Sequence, residues 1–295
     1  MSYIERIQSG IDYIEEHLQL DIDIACVARA ANMSRWHFQR MFKAMTSDTV
    51  KAYIRTRRFS QALQDLLATD RSIIDIAIAT GFESQESFTR AFKQHFAMTP
   101  GQFRMLGEER KFMQRVRIDK NYLQHVNTNL SREPEIRYFD ASLYVGLQTT
   151  FYGADSEKNN FSHQLSSLWD IFLPRMHEVP DAIPDIGYGL IQRTADDSEL
   201  LNYYSVMKVN NIASIPDDMV HQSVAAGQYA VFAHCDDPIL LDNTVNYIYG
   251  TWLPQSGYEH RGTEDIEIYD KDYIPDSPDS IVYYALPLYS NTPSL

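Results

Sequence analysis

Two segments of this chain, residues 34–45 and 84–95, repeat one pattern of apolar and polar positions, and Phe38 matches Phe88 at an offset of 50 residues. In each segment the inward positions recur at intervals of three and four residues, which is typical of an amphipathic helix with one buried stripe. The predicted stripes are Phe38, Met41, Phe42 and Met45 in the first segment and Phe88, Ala91, Phe92 and His95 in the second. The pattern therefore predicts two related helices, each with one face in a core.

The opposite face of each predicted helix carries side chains that can read DNA bases. These side chains are Arg35, Trp36, Gln39 and Arg40 in the first helix, and Gln85, Glu86, Thr89 and Arg90 in the second. Arginine and glutamine pair with base edges in the major groove, and a glutamate can accept a hydrogen bond from cytosine. Trp36 could instead be a packed surface aromatic, and the arginines could be simply solvated. The recurrence of arginine at the same place in both copies favours base reading.

A short helical pattern and a tight turn precede each of these helices, so each copy reads as a helix-turn-helix motif. The leading helices are predicted at 24–31 and 73–80. Gly81 supplies the left-handed residue that the second turn needs, and Asn32 is the next best residue for that conformation in the first turn. Ser34 and Ser84 are expected to cap the helices that follow them. The second turn is one residue longer than the first.

Apolar residues between the two motifs predict one long helix over residues 50–67, which would fix the spacing of the recognition helices. If both helices enter the same face of a duplex, they lie about one helical turn, roughly 34 Å, apart. One chain would then bind an asymmetric site in double-stranded DNA. The basic residues expected to contact phosphates are Lys43, Arg55, Arg57, Arg58 and Lys93.

Residues 1–107 resemble the tandem helix-turn-helix DNA-binding region of AraC/XylS-type transcription regulators. The matching motifs lie at 34–43, 53–58, 75–77, 81–93 and 99–104. The resemblance implies an all-α, homeodomain-like domain that binds promoter DNA and has RNA polymerase as a partner. Asn32, Ser47 and Ala97 depart from the usual pattern, because glycine is common at these three positions.

Net charge divides the chain into two parts. The 295 residues carry a net charge of −14. Residues 1–120 hold 18 Lys and Arg against 15 Asp and Glu, a net of +3, whereas residues 121–295 hold 8 against 25, a net of −17. Together with the motifs, this division predicts a DNA-binding domain over 1–107, a linker over 108–130 and a second, acidic domain over 131–295. The small positive charge indicates modest, salt-sensitive binding to non-specific DNA.

Several classes of protein are disfavoured by the sequence. It has no stretch with the length of a membrane span, no signal-peptide pattern in residues 1–10, and only two cysteines, Cys26 and Cys235, which form no disulfide framework. It also lacks metal-ligand spacing, a phosphate-binding loop and hydrolase motifs. We expect a bacterial, cytoplasmic protein without a membrane partner, a metal or a cofactor, and we predict no catalytic residue.

The C-terminal part contains a second internal repeat, with an offset of 80 residues. Residues 169–174 match 249–254, and residues 202–205 match 282–285. Strand patterns surround the repeat at 143–148, 187–192, 203–209, 228–233, 266–269 and 281–288. Each half therefore reads strand, helix, strand, strand. Two such units predict an α+β domain with helices over antiparallel sheets and a cleft on a pseudo-twofold axis.

Residues 131–295 resemble the GyrI-like small-molecule-binding domain. The matching stretches are 227–234, 252–258 and 266–270. Together with the N-terminal resemblance, they are similar to the domain order of Rob-type regulators. The resemblance implies a cleft that is lined by aromatic side chains and carries a carboxylate for a cationic or polar ligand group.

Glu267 is the candidate for that carboxylate. It alternates with Ile266 and Ile268 in a strand pattern and so faces away from both, while the matching position of the first half is Gly187. Aromatic rings around the acid would add cation–π contacts to a bound cation. The alternative is a glutamate on the solvent face. The candidate ligand-binding residues are Glu267, Trp252, Tyr269, Trp169, Tyr188, Phe232 and Tyr284.

Three functions are open for the C-terminal part. The favoured one is a sensor of a small amphipathic ligand, with a cation among the candidates, and the second is a protein-interaction module. The third, a ligand-hydrolysing enzyme, rests on His221, His234 and His260 in the same domain as Cys235. His234 and Cys235 are adjacent on a strand pattern and point to opposite faces, which spoils a Cys/His pair. We therefore predict a ligand-responsive transcription regulator that is not an enzyme.

Overall fold

The computed structural model describes residues 1–107, 133–194, 199–213 and 215–289. These residues form two compact units, one N-terminal and one C-terminal. The linker predicted at 108–130 lies outside the described residues.

Within residues 1–107, the N-terminal unit consists of helices that match the predicted motifs. They are α1 (Tyr3–Glu16), α2 (Ile24–Ala30), α3 (Arg35–Thr46), α4 (Val50–Ala68), α5 (Ile73–Ala79), α6 (Gln85–Phe96) and α7 (Pro100–Leu106). Helices α2 and α3 form the first helix-turn-helix motif, and α5 and α6 form the second. The long α4 connects the motifs, as the apolar pattern predicted.

Side-chain caps explain where the recognition helices begin. The hydroxyl oxygen of Ser84 accepts a hydrogen bond from the backbone N–H of Ser87 at 3.1 Å and caps α6. The hydroxyl oxygen of Ser34 accepts from the N–H of His37 at 3.4 Å at the start of α3. Both predicted caps are confirmed. Since each cap satisfies a backbone donor that the first turn leaves unpaired, it sets the residue at which the recognition face starts.

The predicted apolar stripes are buried except for Ala91, which is partly buried, and His95. Phe38 and Phe42 of α3, like Phe88 and Phe92 of α6, have no exposed surface. The placement of His95 in the second stripe was wrong, because His95 is exposed. Phe96 packs against Phe92 instead, with their ring centroids 4.5 Å apart. The core of the second motif is Phe59, Ala62, Leu63, Leu66, Ile76, Ala77, Phe88, Phe92 and Phe103.

The motif turns contain left-handed residues, as predicted. Asn32 has φ 53° and Gly81 has φ 81°, and the two other departures from the family pattern, Ser47 and Ala97, have φ 64° and 59°. A Cβ at Gly81 would lie 2.7 Å from the carbonyl oxygen of Leu18, so this turn requires glycine for space as well as for backbone angle. Where another residue replaces the usual glycine, the backbone conformation is nevertheless kept.

An antiparallel sheet of eight strands forms the centre of the C-terminal unit. The strands are β1 (Glu135–Phe139), β2 (Ser142–Tyr152), β3 (Gly187–Arg193), β4 (Leu200–Val209), β5 (Val220–Val224), β6 (Gly227–Cys235), β7 (Asp265–Tyr269) and β8 (Ile281–Leu288). Their order is β1-β6-β8-β7-β3-β4-β2-β5. All six predicted strands are confirmed. The two that the sequence pattern missed, β1 and β5, are five-residue strands at the sheet edges.

The sheet is built from two similar halves. Strands β2, β3 and β4 belong to the first half and β6, β7 and β8 to the second, and the halves meet where β3 pairs with β7. Each edge strand pairs with the other half, β1 with β6 and β5 with β2. The two predicted strand-helix-strand-strand units are therefore both present and share one sheet. The backbone pairing of β3 with β7 joins the two repeats into one continuous sheet.

Helices from both halves pack on the sheet. In the first half α8 (Phe161–Phe172) packs on β2 and β4. In the second half the helical region comprises α9 (Leu241–Tyr247), a π-helical segment (Ile248–Trp252) and α10 (Leu253–Ser256), and α9 contacts β6. Single-turn π segments within helices often occur at functional sites.

The two faces of β7 have different surroundings. Ile266 belongs to a core on one face, together with Leu190 and Ala285. Glu267 is opposite Gly189 of β3 and Tyr284 of β8 in the strand register, and it points to the other face. Side chains two residues apart on a strand share a face, so Asp265 and Tyr269 lie on the same face as Glu267.

Candidate functional site

The second recognition helix, α6, presents its predicted DNA-reading side chains at the surface. Gln85, Glu86 and Arg90 are exposed, and Thr89 is half-buried. Lys93, a predicted phosphate contact on the same helix, is also exposed. The geometry thus places the polar face of α6 where a duplex can reach it, while the phenylalanine stripe holds the helix on the core.

The first recognition helix, α3, is less exposed than the pattern predicted. Gln39 is 5% exposed and Arg40 is 7% exposed, while Arg35 and Trp36 are half-buried. Gln39 lies about 100° around the helix from Phe38, at the border of the buried stripe. A helical wheel does not account for the burial of Arg40. The role of these four side chains in base reading stays a prediction.

Two of the predicted phosphate contacts are instead engaged within the N-terminal unit. Arg57 forms a bidentate ion pair with Glu15 of α1, with Nε to Oε1 at 2.8 Å and Nη2 to Oε2 at 2.9 Å. Arg58 donates hydrogen bonds to the carbonyl oxygens of Leu18 at 2.9 Å and Leu20 at 2.6 Å. The hydrogen bonds to Glu15 raise the pKa of Arg57, whereas burial lowers the pKa of Arg58. Arg57 therefore connects α4 to α1, and Arg58 connects α4 to the residues that follow α1.

The remaining predicted phosphate contacts differ in exposure. Arg55 is exposed on α4, and Lys43 is half-buried on α3. A cluster of basic residues in the sequence does not reveal which of them hold the fold, because that depends on contacts with α1 about 40 residues away in the chain.

In the C-terminal unit, Glu267 is the centre of a buried hydrogen-bond cluster rather than a solvent-facing residue. It is 5% exposed, and its Oε2 accepts hydrogen bonds from the hydroxyl groups of Tyr203 at 2.6 Å and Tyr269 at 2.8 Å. The indole Nε1 of Trp169 donates to the Tyr203 hydroxyl at 2.9 Å. Trp169 and Tyr269 also meet edge to face, with ring centroids 5.1 Å apart. These four residues form the Glu267 cluster.

Glycines on β3 make room for this cluster. A Cβ at Gly189 would lie 2.3 Å from the Tyr203 hydroxyl and 2.5 Å from Oε2 of Glu267. A Cβ at Gly187 would lie 3.0 Å from the ring of Trp169. Two glycines at alternate positions of one strand therefore leave a depression on the sheet, and the acid and its tyrosine partner fill it.

Burial has a direct effect on the chemistry of the Glu267 cluster. It raises the pKa of Glu267, and the hydrogen bonds from Tyr203 and Tyr269 only partly oppose this effect. Burial and the nearby carboxylate also raise the pKa of both tyrosines. The donors are neutral hydroxyl groups, so they stabilise the carboxylate without cancelling its charge.

The other predicted ligand-binding residues divide into two groups. Phe232 and Tyr284 lie in register with Glu267 across β6, β8 and β7, and Trp252 packs on Phe232 with ring centroids 5.1 Å apart. Tyr188 points to the opposite face of the sheet, where its ring meets that of Tyr144. The strand period of two explains this placement, since Tyr188 directly precedes Gly189.

A second buried acid, which the sequence analysis did not select, lies beside Glu267. Asp265 accepts hydrogen bonds from the hydroxyl groups of Tyr249 and Tyr284 and from the ring of His260. Two sequence signals could have identified this Asp265 cluster. Asp265 shares the strand parity of Glu267, and Tyr249 matches Trp169 at the 80-residue offset.

The histidine and cysteine residues considered for catalysis are separated by the strand geometry. His234 is 2% exposed, and its ring nitrogens are 2.8 Å from the hydroxyl of Thr244 and 3.0 Å from the carbonyl oxygen of Asp237. Cys235, the next residue of β6, is exposed. His234 therefore has a structural role beneath α9. Among the described helices, none is long and apolar enough to span a bilayer.

An exposed recognition helix in a tandem helix-turn-helix unit and a buried acid in a two-repeat α+β unit define a DNA-binding regulator with a ligand-binding domain. Residues 132–288 match the GyrI-like small molecule binding domain, and the chain belongs to this family. Residues 27–105 match a helix-turn-helix domain. The protein is thus a DNA-binding transcription regulator of the AraC/XylS type with a small-molecule-binding C-terminal domain.

Comparison with known proteins finds relatives that match most of this chain or one part of it. The chain is 28% identical over 267 residues to the right origin-binding protein of Escherichia coli K12, which covers 89% of each chain. It is 40% identical over 104 residues to the regulatory protein SoxS of Salmonella typhimurium, covering 35% of this chain and 97% of SoxS. The structure of SAV2435 bound to tetraphenylphosphonium superposes with a TM-score of 0.45 and 14% identity, over 54% of this chain and 94% of that one.

Proposed function

We propose that the C-terminal unit binds a small amphipathic cation through Glu267, and that this event regulates transcription from an asymmetric promoter site. The observation that carries the proposal is the carboxylate of Glu267, which is 5% exposed and, within the part of the chain that the structure describes, accepts hydrogen bonds from two neutral donors, the hydroxyls of Tyr203 and Tyr269. A buried charge is costly without a counter-charge, so a ligand that brings a positive group gains more here than a neutral one.

The surroundings of Glu267 favour a ligand with aromatic or apolar parts. Trp169 and Tyr269 are half-buried, so each reaches both the carboxylate region and the surface. Their rings can contact a cation through the negative π face and can also cover apolar groups. The net charge of −17 over residues 121–295 favours a ligand with a positive charge, because it attracts cations to this unit.

For the N-terminal unit, we propose that α3 and α6 enter neighbouring major-groove segments of one duplex. The support is the exposed polar face of α6 and the matching residue types on α3. RNA polymerase is the expected protein partner, and the cytoplasm is the expected location because bacterial promoters lie there. A ligand can alter regulation only if it binds one of two states of the protein more tightly than the other.

Glu267→Gln is expected to weaken binding of the lipophilic cation tetraphenylphosphonium by tenfold or more, because it removes the charge and keeps the side-chain volume. Isothermal titration calorimetry at pH 8 measures this affinity. The matched control is Asp279→Asn, which removes one charge from an exposed position of the same unit. Equal affinities of wild type and Glu267→Gln would exclude Glu267 as a cation site and would favour the protein-interaction alternative.

Arg90→Ala is expected to weaken specific DNA binding by about 1–3 kcal/mol without unfolding the protein. The experiment is selection of genomic fragments with purified wild-type protein, followed by affinity measurements on the enriched site. Arg71→Ala is the matched control, because Arg71 is a surface arginine of the same unit that pairs with Asp65 outside α6. Arg40→Ala added to Arg90→Ala should abolish enrichment. An enriched motif that survives both changes would contradict the assignment of the reading face.

A further inference from the structure

Asp265 is a second buried carboxylate on the ligand-facing side of β7. It is 1% exposed and lies two residues before Glu267, so the two Cα atoms are about 6.5–7 Å apart along the strand. Two carboxylates at this spacing on one face of a strand repel each other when both are ionised. The protein nevertheless buries both, and the hydrogen bonds around Asp265 explain how.

Three donors from different parts of the unit hold the Asp265 carboxylate. The hydroxyl of Tyr249, in the π-helical segment that follows α9, donates to Oδ2 at 2.6 Å, and the hydroxyl of Tyr284 on β8 donates to the same oxygen at 2.5 Å. The ring Nε2 of His260 lies 2.9 Å from Oδ1. Each of the three groups can donate a hydrogen bond to the carboxylate, so the cluster offers Asp265 the donors that a carboxylate anion accepts from.

The hydrogen bonding of His260 shows that it acts as a neutral donor. Its Nδ1 accepts a hydrogen bond from the backbone N–H of Gly262 at 2.8 Å, so Nδ1 carries no hydrogen. The ring hydrogen is then on Nε2, where it is donated to Asp265. Two hydroxyl groups and a neutral imidazole can stabilise a negative charge on Asp265, but they do not neutralise it because none of them brings a positive charge.

We propose that Asp265 is a second buried carboxylate next to the ligand site, and that its negative charge strengthens the preference for cations without contacting the ligand. The inference rests on the proposed function of Glu267. The role of Asp265 differs from that of Glu267. Both carboxylate oxygens of Asp265 already accept hydrogen bonds, so Asp265 acts on a bound cation by long-range electrostatic attraction and not by contact. Asp265 is thus a specificity-determining residue, and Tyr249, Tyr284 and His260 are its hydrogen-bond partners, no one of which is the sole donor.

The charge of Asp265 has a consequence for the ionisation of Glu267. Burial raises the pKa of Glu267, the hydroxyls of Tyr203 and Tyr269 lower it, and the negative charge of Asp265 raises it further. A cation binds to the ionised form of Glu267. Binding should therefore tighten as pH rises through the pKa of Glu267, and below that pKa each binding event should release a proton. Loss of the Asp265 charge should move this transition to lower pH.

Carbon-13 NMR of the full-length protein, labelled at the side-chain carboxyl carbon of glutamate, tests the inference without a ligand. The signal of Glu267 is assigned by its loss in Glu267→Gln. In Asp265→Asn the titration of Glu267 should shift to lower pH. Tyr249→Phe is the matched control, because it removes one donor from the Asp265 cluster and keeps the charge. An unchanged titration in Asp265→Asn, or an equal shift in Tyr249→Phe, would show that Asp265 has only a structural role.

A second variant covers the case in which Asp265→Asn does not fold. Asp265→Leu combined with Tyr249→Phe and Tyr284→Phe replaces the carboxylate and both hydroxyl groups by apolar atoms, so no buried tyrosine donor is left without an acceptor. The same shift of the Glu267 titration is expected in this triple variant. A titration at the wild-type position would overturn the inference.

Tetraphenylphosphonium binding separates failure of this inference from failure of the proposed function. At pH 8 Asp265→Asn should bind the cation about tenfold more weakly than wild type, while Tyr249→Phe should retain the wild-type affinity. Wild-type affinity in Asp265→Asn would overturn the inference alone. A wild-type protein that binds no cation, or binds it equally well after Glu267→Gln, would overturn the proposed function and the inference together.

Discussion

Gly189→Ala is expected to destabilise the C-terminal unit by about 3 kcal/mol and to abolish cation binding. The added Cβ would lie 2.3 Å from the hydroxyl of Tyr203 and 2.5 Å from Oε2 of Glu267. Tyr203 is fully buried and its ring cannot move aside, so the Tyr203–Glu267 hydrogen bond must break or the strands must shift. The cost combines overpacking of a core with a buried acid that has lost a donor.

Urea denaturation followed by tryptophan fluorescence measures this loss, since Trp169 donates to the Tyr203 hydroxyl. The double variant Gly189→Ala, Tyr203→Phe should lose less stability than the sum of the single changes, because the clashing hydroxyl is absent. Gly101→Ala is the control, as a Cβ there meets no atom within 4 Å. A stable Gly189→Ala variant with wild-type affinity would show that the glycine is not needed for the site.

Arg57→Ala is expected to destabilise the N-terminal unit by about 3 kcal/mol. The substitution leaves the carboxylate of Glu15, whose side chain is 10% exposed, without its cationic partner. The hydroxyl of Tyr53 still donates to Glu15 at 2.7 Å, but it carries no charge. We expect specific DNA binding to fall mainly to the extent that the unit unfolds, because the guanidinium of Arg57 pairs with Glu15 and holds α4 to α1.

Arg55→Ala is the matched control on the same helix. Arg55 is exposed, so its loss should leave stability within about 0.5 kcal/mol of wild type. If Arg55 contacts a phosphate, its loss should also reduce the slope of affinity against salt concentration by about one ion. Adding Glu15→Gln to Arg57→Ala should restore part of the stability. A stable Arg57→Ala variant with a reduced salt slope would reinstate Arg57 as a phosphate contact.

Local periodicity was sufficient to predict most elements of both units. The stripe of Phe38, Met41, Phe42 and Met45 and the caps Ser34 and Ser84 involve residues within two helical turns of one another, so their arrangement follows from helix geometry. Strand alternation is also a local property, and it correctly predicted that Glu267 and Ile266 point to opposite faces of the sheet. His95 departs from this rule because Phe96, one position later, fills the core beside Phe92.

Contacts between distant residues could not be predicted in this way. The engagement of Arg57 and Arg58 depends on α1, and the burial of Gln39 and Arg40 depends on more than the pattern of α3. The strands β1 and β5 were missed because each is short and pairs with the other half of the domain. Residue type and spacing indicate what a side chain can do, but not which distant partner occupies it.

The two helix-turn-helix motifs, the two-repeat α+β domain and the choice of Glu267 could all be predicted from the sequence, because each rests on short-range periodicity or on a recurring motif. The pairing of the repeats through β3 and β7, the hydrogen bonds of Tyr203 and Tyr269 to Glu267, and the burial of Asp265 became visible in the folded protein. Burial and hydrogen-bond partners come from chain segments far apart in sequence, and they shift the pKa of a carboxyl group such as that of Glu267.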